Sequence, residues 1–164
     1  MRALLLLALL LPQDSALGIH TEYDKFTDTT VVRTTQSIMP VRPGYVLFEV
    51  EASVKGKEIR GATPAAVAIV ITSHSDNWVF LNTRNDFRVL YNGSERYTLG
   101  RMRRIHADTE YGGVIEVLYL EVTLKDVEKL SKADNLEIQI GPLESEVKPE
   151  QRASIKRWLG MFEK

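Results

Sequence analysis

The clearest pattern in the chain lies in residues 46–55. Val46, Phe48, Val50, Ala52 and Val54 fall on one side, and Glu49, Glu51, Ser53 and Lys55 on the other. Alternation with period two puts one face of a strand on a core and the other toward water. Residues 29–35 predict the strand before it. Residues 65–71 are apolar at every position, so neither face tolerates solvent and this strand belongs at the centre of a sheet. A polar turn is expected at residues 73–77 and a short strand at 78–81. Residues 86–91 and 95–99 flank Asn92-Gly93, a hairpin signal because both residues accept positive φ. Phe87, Val89, Tyr91, Tyr97 and Leu99 reach a common face only if paired positions sum to an even number, which an odd-length loop provides.

Residues 114–122 form another apolar strand. Thr123 with Asp126 then makes a variant of the capping box, ahead of Leu124, Val127 and Leu130 at helical spacing. Leu136, Ile138 and Ile140 alternate with Glu137 and Gln139, Gly141-Pro142 turns, and Leu143, Ser145 and Val147 alternate with Glu144 and Glu146: a terminal hairpin. Pro149 suits the first position of a helix, and Ile155, Trp158, Leu159 and Phe162 line one side of it. Many strands and two late helices predict an α+β, mainly β protein. Its antiparallel sheet is curled or folded as a sandwich, with a short helix near 124–132 and a C-terminal helix near 149–162.

The start of the chain reads differently. Met1-Arg2, the apolar run 3–11, Pro12 and the small residues Ala16 and Gly18 have the form of a secretory signal with cleavage after Gly18. The expected organisation is a leader over 1–18 and a single β-rich domain over 19–164, periplasmic or extracellular, with no transmembrane anchor once the leader is removed. Nine apolar residues fall well short of the roughly 20 that span a bilayer as a helix.

Charge and composition narrow the chemistry. Lys+Arg 21 against Asp+Glu 22 gives a net charge of -1, so no global field recruits nucleic acid. The chain has no cysteine, which excludes disulfides, thiolate metal sites and a cysteine nucleophile. The histidines, His20, His74 and His106, show no metal-binding spacing, and an amino-terminal copper site at His20 misses the expected cleavage point by one residue. Neither metal nor cofactor is expected. Ser73-His74-Ser75 is no nucleophile and base pair, because neighbours on an extended chain point to opposite faces. Asp24 and Asp28 lack the dense spacing of a calcium loop. Asn92-Gly93-Ser94 is a glycosylation sequon whose letters the turn itself demands. The aromatic residues Trp78, Tyr91, Tyr97, Tyr111, Tyr119 and Trp158 are scattered over separate elements and suit core packing better than a sugar platform.

One stretch stands out. Arg84, Arg88, Arg96, Arg101, Arg103 and Arg104 are opposed only by Asp86 and Glu95. Guanidinium forks suit phosphate, sulfate or carboxylate groups, and charges on an edge strand also discourage aggregation. Arg96, Arg101, Arg103 and Arg104 are the candidate ligand-binding residues, with Arg101 and Arg103 expected on one face of a strand and Arg104 and His106 on the other. No catalytic residue is assigned.

Tyr23-Asp24-Lys25-Phe26-Thr27-Asp28-Thr29-Thr30-Val31, together with Ile138-Gln139-Ile140-Gly141-Pro142-Leu143-Glu144 and Pro149-Glu150-Gln151, resembles a family of exported bacterial proteins of uncharacterised function. The resemblance implies a bacterial origin and a compact exported domain, and it carries no site residue. Three functions follow as expectations. The first is a non-catalytic module binding an anionic ligand or a protein in the cell envelope. The second is a hydrolase of envelope polymers built on carboxylates such as Glu144 and Glu146. The third is an assembly protein pairing through a sheet edge.

Overall fold

The computed structural model describes residues 18–39, 44–81, 83–110 and 113–163. Ten strands and two helices follow one another as β1 (Gly18–Asp24), β2 (Thr29–Met39), β3 (Gly44–Lys55), β4 (Ala66–Ser75), β5 (Asp86–Tyr91), β6 (Glu95–Arg101), β7 (Arg103–Glu110), β8 (Gly113–Glu121), α1 (Leu124–Lys132), β9 (Leu136–Ile140), β10 (Leu143–Glu146) and α2 (Pro149–Gly160). They build a six-stranded sheet, β1-β2-β3-β4-β8-β7, and a four-stranded sheet, β10-β9-β5-β6. Every pairing is antiparallel. The protein is mainly β, as the alternation predicts, with the all-apolar segment as β4 in the middle of the large sheet.

The facing sides of the sheets carry the core. Phe48, Val50, Ile69, Ile71 and Leu118 from the large sheet and Phe87, Val89, Ile138 and Ile140 from the small one are almost wholly buried, and the Phe48 and Phe87 rings meet across the gap with centroids 6.2 Å apart. Each such side chain stabilises the fold by about 1.5–3 kcal/mol through the area it removes from water. The helices complete the second layer. Thr123 and Asp126 form the expected reciprocal cap of α1. Pro149 opens α2, which buries Ile155 and Trp158. The Trp158 indole N–H donates to the Val32 carbonyl at 3.0 Å, and the Ser154 and Thr34 hydroxyls are hydrogen-bonded at 3.0 Å. Helix α2 therefore packs on the core side of β2.

On the opposite flank the chain itself joins the sheets. Strand β6 ends at Arg101 in the small sheet and β7 begins at Arg103 in the large one, while Met102 between them is buried. A strand that changes sheets makes a corner of a sandwich. The β5–β6 hairpin has the odd-length loop that the parity argument demands near the turn, with Tyr91 opposite Glu95 and Val89 opposite Tyr97, but a bulge between Phe87 and Arg88 breaks the parity beyond it: Phe87 stands opposite Gly100, Leu99 is skipped, and Arg101 comes to lie opposite Asp86. Asn92 and Gly93 have φ of 50° and 73°, the left-handed values expected of the turn.

Four expectations need correction. A strand precedes residue 29: β1, whose inward positions Ile19, Thr21 and Tyr23 include only two large side chains, so its alternation is faint. Residues 73–75 extend β4 instead of turning, with Ser73 and Ser75 buried and His74 on the other face. Residues 78–81 form no strand. The Val79 and Phe80 N–H groups are taken by the Glu116 carboxylate, at 2.6 and 3.0 Å, in place of a ladder. Finally, Arg101 and Arg103 do not share a strand. A bulge between Arg104 and His106 also returns His106 to the face of Arg103. The expected leader, apart from Gly18, lies outside the described residues.

Candidate functional site

The outer face of the small sheet gathers most of the arginine stretch. Asp86 and Arg88 alternate onto that face along β5, Arg84 reaches Asp86 from two residues before the strand, and Arg101 is the cross-strand partner of Asp86. Asp86 is buried beneath the arginine heads. Its carboxylate has Arg84 Nε at 2.6 Å, Arg88 Nη2 at 3.5 Å and Arg101 Nε at 3.5 Å. The three arginine side chains are 71%, 54% and 65% exposed, against 7% for the acid. One negative charge thus orients three positive ones, and the cluster keeps a surplus of two. Each guanidinium has five N–H donors in a fork, so most of them remain directed at solvent.

Arg96 follows on the same face, opposite Leu90, with no ion pair among the described residues. An open groove of about 500 Å³ runs over this surface, lined by Arg88, Leu90, Arg96, Thr98, Gln139 and Glu144 among others. The Arg88 guanidinium donates to Gln139 Oε1 at 3.3 Å. The far side of the face is acidic: Glu144 and Glu146 stand opposite Gln139 and Glu137. Both glutamates are exposed on an open sheet surface, and no cleft closes around them. Charge is therefore segregated, with cations on β5 and β6 and carboxylates on β9 and β10.

Of the four candidate arginines, Arg96 and Arg101 lie on this face. Arg103 sits around the corner on the large sheet, its guanidinium 5.7 Å from the Tyr119 ring centroid and 3.9 Å from Glu121. Arg101 and Arg103 still line one crevice of about 320 Å³ at the corner, with Tyr119, Leu120 and Glu121. Arg104 is different. It points inward, donates to the Phe80 carbonyl at 2.7 Å and lies 3.8 Å from the fully buried Glu116. This arginine ties Phe80 to the sheet and turns toward the interior, its side chain 27% exposed. Arg84 and Arg88 belong to the cluster in its place, and their i, i+4 spacing around Asp86 is the signal that brings both to its carboxylate.

The remaining candidates resolve locally. His20, His74 and His106 lie on the outer face of the large sheet, in rows with Arg33, Tyr45 and Val117 respectively. His74 stacks on Tyr45 at 5.4 Å. No three His, Asp or Glu side chains group as metal ligands among the described residues. Asp24 braces the β1–β2 turn, accepting the Phe26 N–H at 2.8 Å and the Thr27 hydroxyl at 2.9 Å, and these hydrogen bonds hold its carboxyl below the usual range. Asn92 Oδ1 accepts the N–H groups of Asp134 and Asn135, so the sequon side chain is engaged in the fold. Trp78 and Tyr97 are exposed but on different elements, and Trp158 is core; Tyr111 lies outside the described residues. Burial raises the Glu51 carboxyl above the ordinary range against the opposing pull of Arg33, and it raises Tyr119 likewise.

No protein-family model, curated protein or solved structure matches the chain.

Proposed function

We propose that the protein is an exported, non-catalytic β-sandwich that binds an anionic component of the cell envelope through the outer face of its small sheet. The observation that carries this reading is the surplus of guanidinium groups over Asp86. Three exposed forks converge on one buried carboxylate, with Arg96 unpaired beside them. A protein that needed only to neutralise Asp86 requires one cation. The others present a fixed donor array to phosphate, sulfate or carboxylate groups arriving from solvent. Export is supported by the form of residues 1–18 and by the resemblance to exported bacterial proteins carried by Tyr23–Val31, Ile138–Glu144 and Pro149–Gln151.

Retention of the purified protein on a phosphate-bearing matrix and on an envelope fraction tests the reading. Binding should weaken with salt as bound counterions are exchanged. The Arg88→Gln/Arg96→Gln double variant should elute at lower salt with an unchanged melting temperature, while the short Arg84–Asp86 pair remains intact. Equal retention of this variant and the native protein overturns the proposal.

A further inference from the structure

The large sheet also has an outer face, built on another principle. Three central strands place their outward residues in rows: Tyr45, His74 and Ile115; then Leu47, Thr72 and Val117; then Glu49, Val70 and Tyr119. Six of these nine are aliphatic or tyrosine. The next row reads Arg33, Glu51, Ala68 and Glu121 from β2 to β8. Within the nine, Glu49 accepts the Thr35 hydroxyl at 2.7 Å and His74 stacks on Tyr45, so the polar members are engaged, and a largely apolar centre with further charges in the next row is the anatomy of a protein interface. Among the described residues no helix lies on this face, since α2 meets β2 through Thr34, Gln36 and the Val32 carbonyl from the core side.

Size and charge indicate what covers it. Six strands at about 4.8 Å spacing and seven residues at about 3.3 Å give a flat footprint of about 500 Å². Side-chain relief raises that toward the roughly 800 Å² each partner contributes to a stable interface. The sheet order puts the midline between β3 and β4, so a two-fold axis along the strands sets β2 of one copy against β8 of the other. Arg33, which already lies 3.4 Å from Glu51 of its own chain with its side chain 21% exposed, and Glu121 occupy the same row on those two strands. Each copy therefore offers a cation where its partner offers a carboxylate, twice by symmetry, while the apolar rows meet between them. Glu121 is free to serve, being 73% exposed and held only at 3.9 Å by Arg103.

We infer that the protein forms a two-fold dimer through the outer face of its large sheet, leaving the arginine faces of both copies directed outward. Light scattering on the purified protein should read twice the chain mass as concentration rises. Val70→Lys and Val117→Lys should each return the mass of a single chain, with thermal melts reporting whether the variant is folded. A second pair keeps the test independent of core tolerance. Arg33→Glu and Glu121→Lys each set like charges at both contacts and should be monomeric alone. Mixed in equal amounts they should regain the double mass, because the heterodimer restores opposite charges at both contacts. A single-chain mass for the native protein at every concentration overturns the inference. So does a dimer that persists in all four variants, or a mixture that stays monomeric.

Discussion

Asp86 and Glu116 are two carboxylates served by arginines of the same stretch, and they are served in opposite ways. Glu116 is fully buried, and its oxygens are satisfied by the Val79 and Phe80 N–H groups with one guanidinium, Arg104, nearby. Charge there is balanced and solvent excluded, which makes it an anchor for the loop between β4 and β5. Asp86 meets three guanidinium groups whose heads stay in water. Charge there is in excess and open to solvent, the property on which the proposed anion binding rests. Sequence proximity groups these arginines; exposure and stoichiometry separate their roles.

The largest effect that can break this comparison is on stability. Glu116→Ala should cost about 3–5 kcal/mol in chemical denaturation, because it strands Arg104 and two backbone donors away from water. Asp86→Ala should cost about 1 kcal/mol, since its arginines can turn to solvent. Equal losses would erase the distinction.

The second effect is on binding. Arg88→Gln/Arg96→Gln should weaken retention on a phosphate matrix about tenfold, as expected for the loss of charge-assisted contacts, while stability stays within about 0.5 kcal/mol. A third, smaller effect has the opposite sign. Asp86→Asn removes the opposing charge and should strengthen anion retention about threefold in a salt-dependent manner. Weaker retention would mean that Asp86 acts chiefly by holding the forks in place.

The smallest effect concerns a buried hydroxyl with no hydrogen-bond partner among the described residues. The Tyr91 hydroxyl lies in the core without a hydrogen bond, and burial pushes its pKa up to about 12. Tyr91→Phe should therefore be neutral or stabilising by up to about 1 kcal/mol at neutral pH. In the native protein the unfolded chain ionises first as pH rises through 10. This residue's contribution is thus whole below pH 10 and is lost progressively toward 12. The variant should show a shallower alkaline loss.

Much of the fold is legible because it obeys period two with one apolar face. β3, the β5–β6 hairpin with its parity, β9, β10 and the cap of α1 all follow from neighbours in sequence. What escapes is set by distant partners. Residues 78–81 have strand composition, yet their N–H groups belong to Glu116, 37 and 36 residues away. Ser73-His74-Ser75 reads as a turn because its buried positions are serines, with Ser73 directly opposite Glu116 in the sheet. The site is half legible for the same reason. The arginine surplus is visible as composition, but Arg104 looks like Arg101 and Arg103 until the corner at Met102 and the buried acid are known.

That corner has a mechanical meaning. Arg101, which faces outward on one sheet, and Arg104, which clasps the interior of the other, are separated by three peptide units on a single bent ribbon. A shift of the bend at the buried Met102 would therefore move an exposed guanidinium and an inward one together.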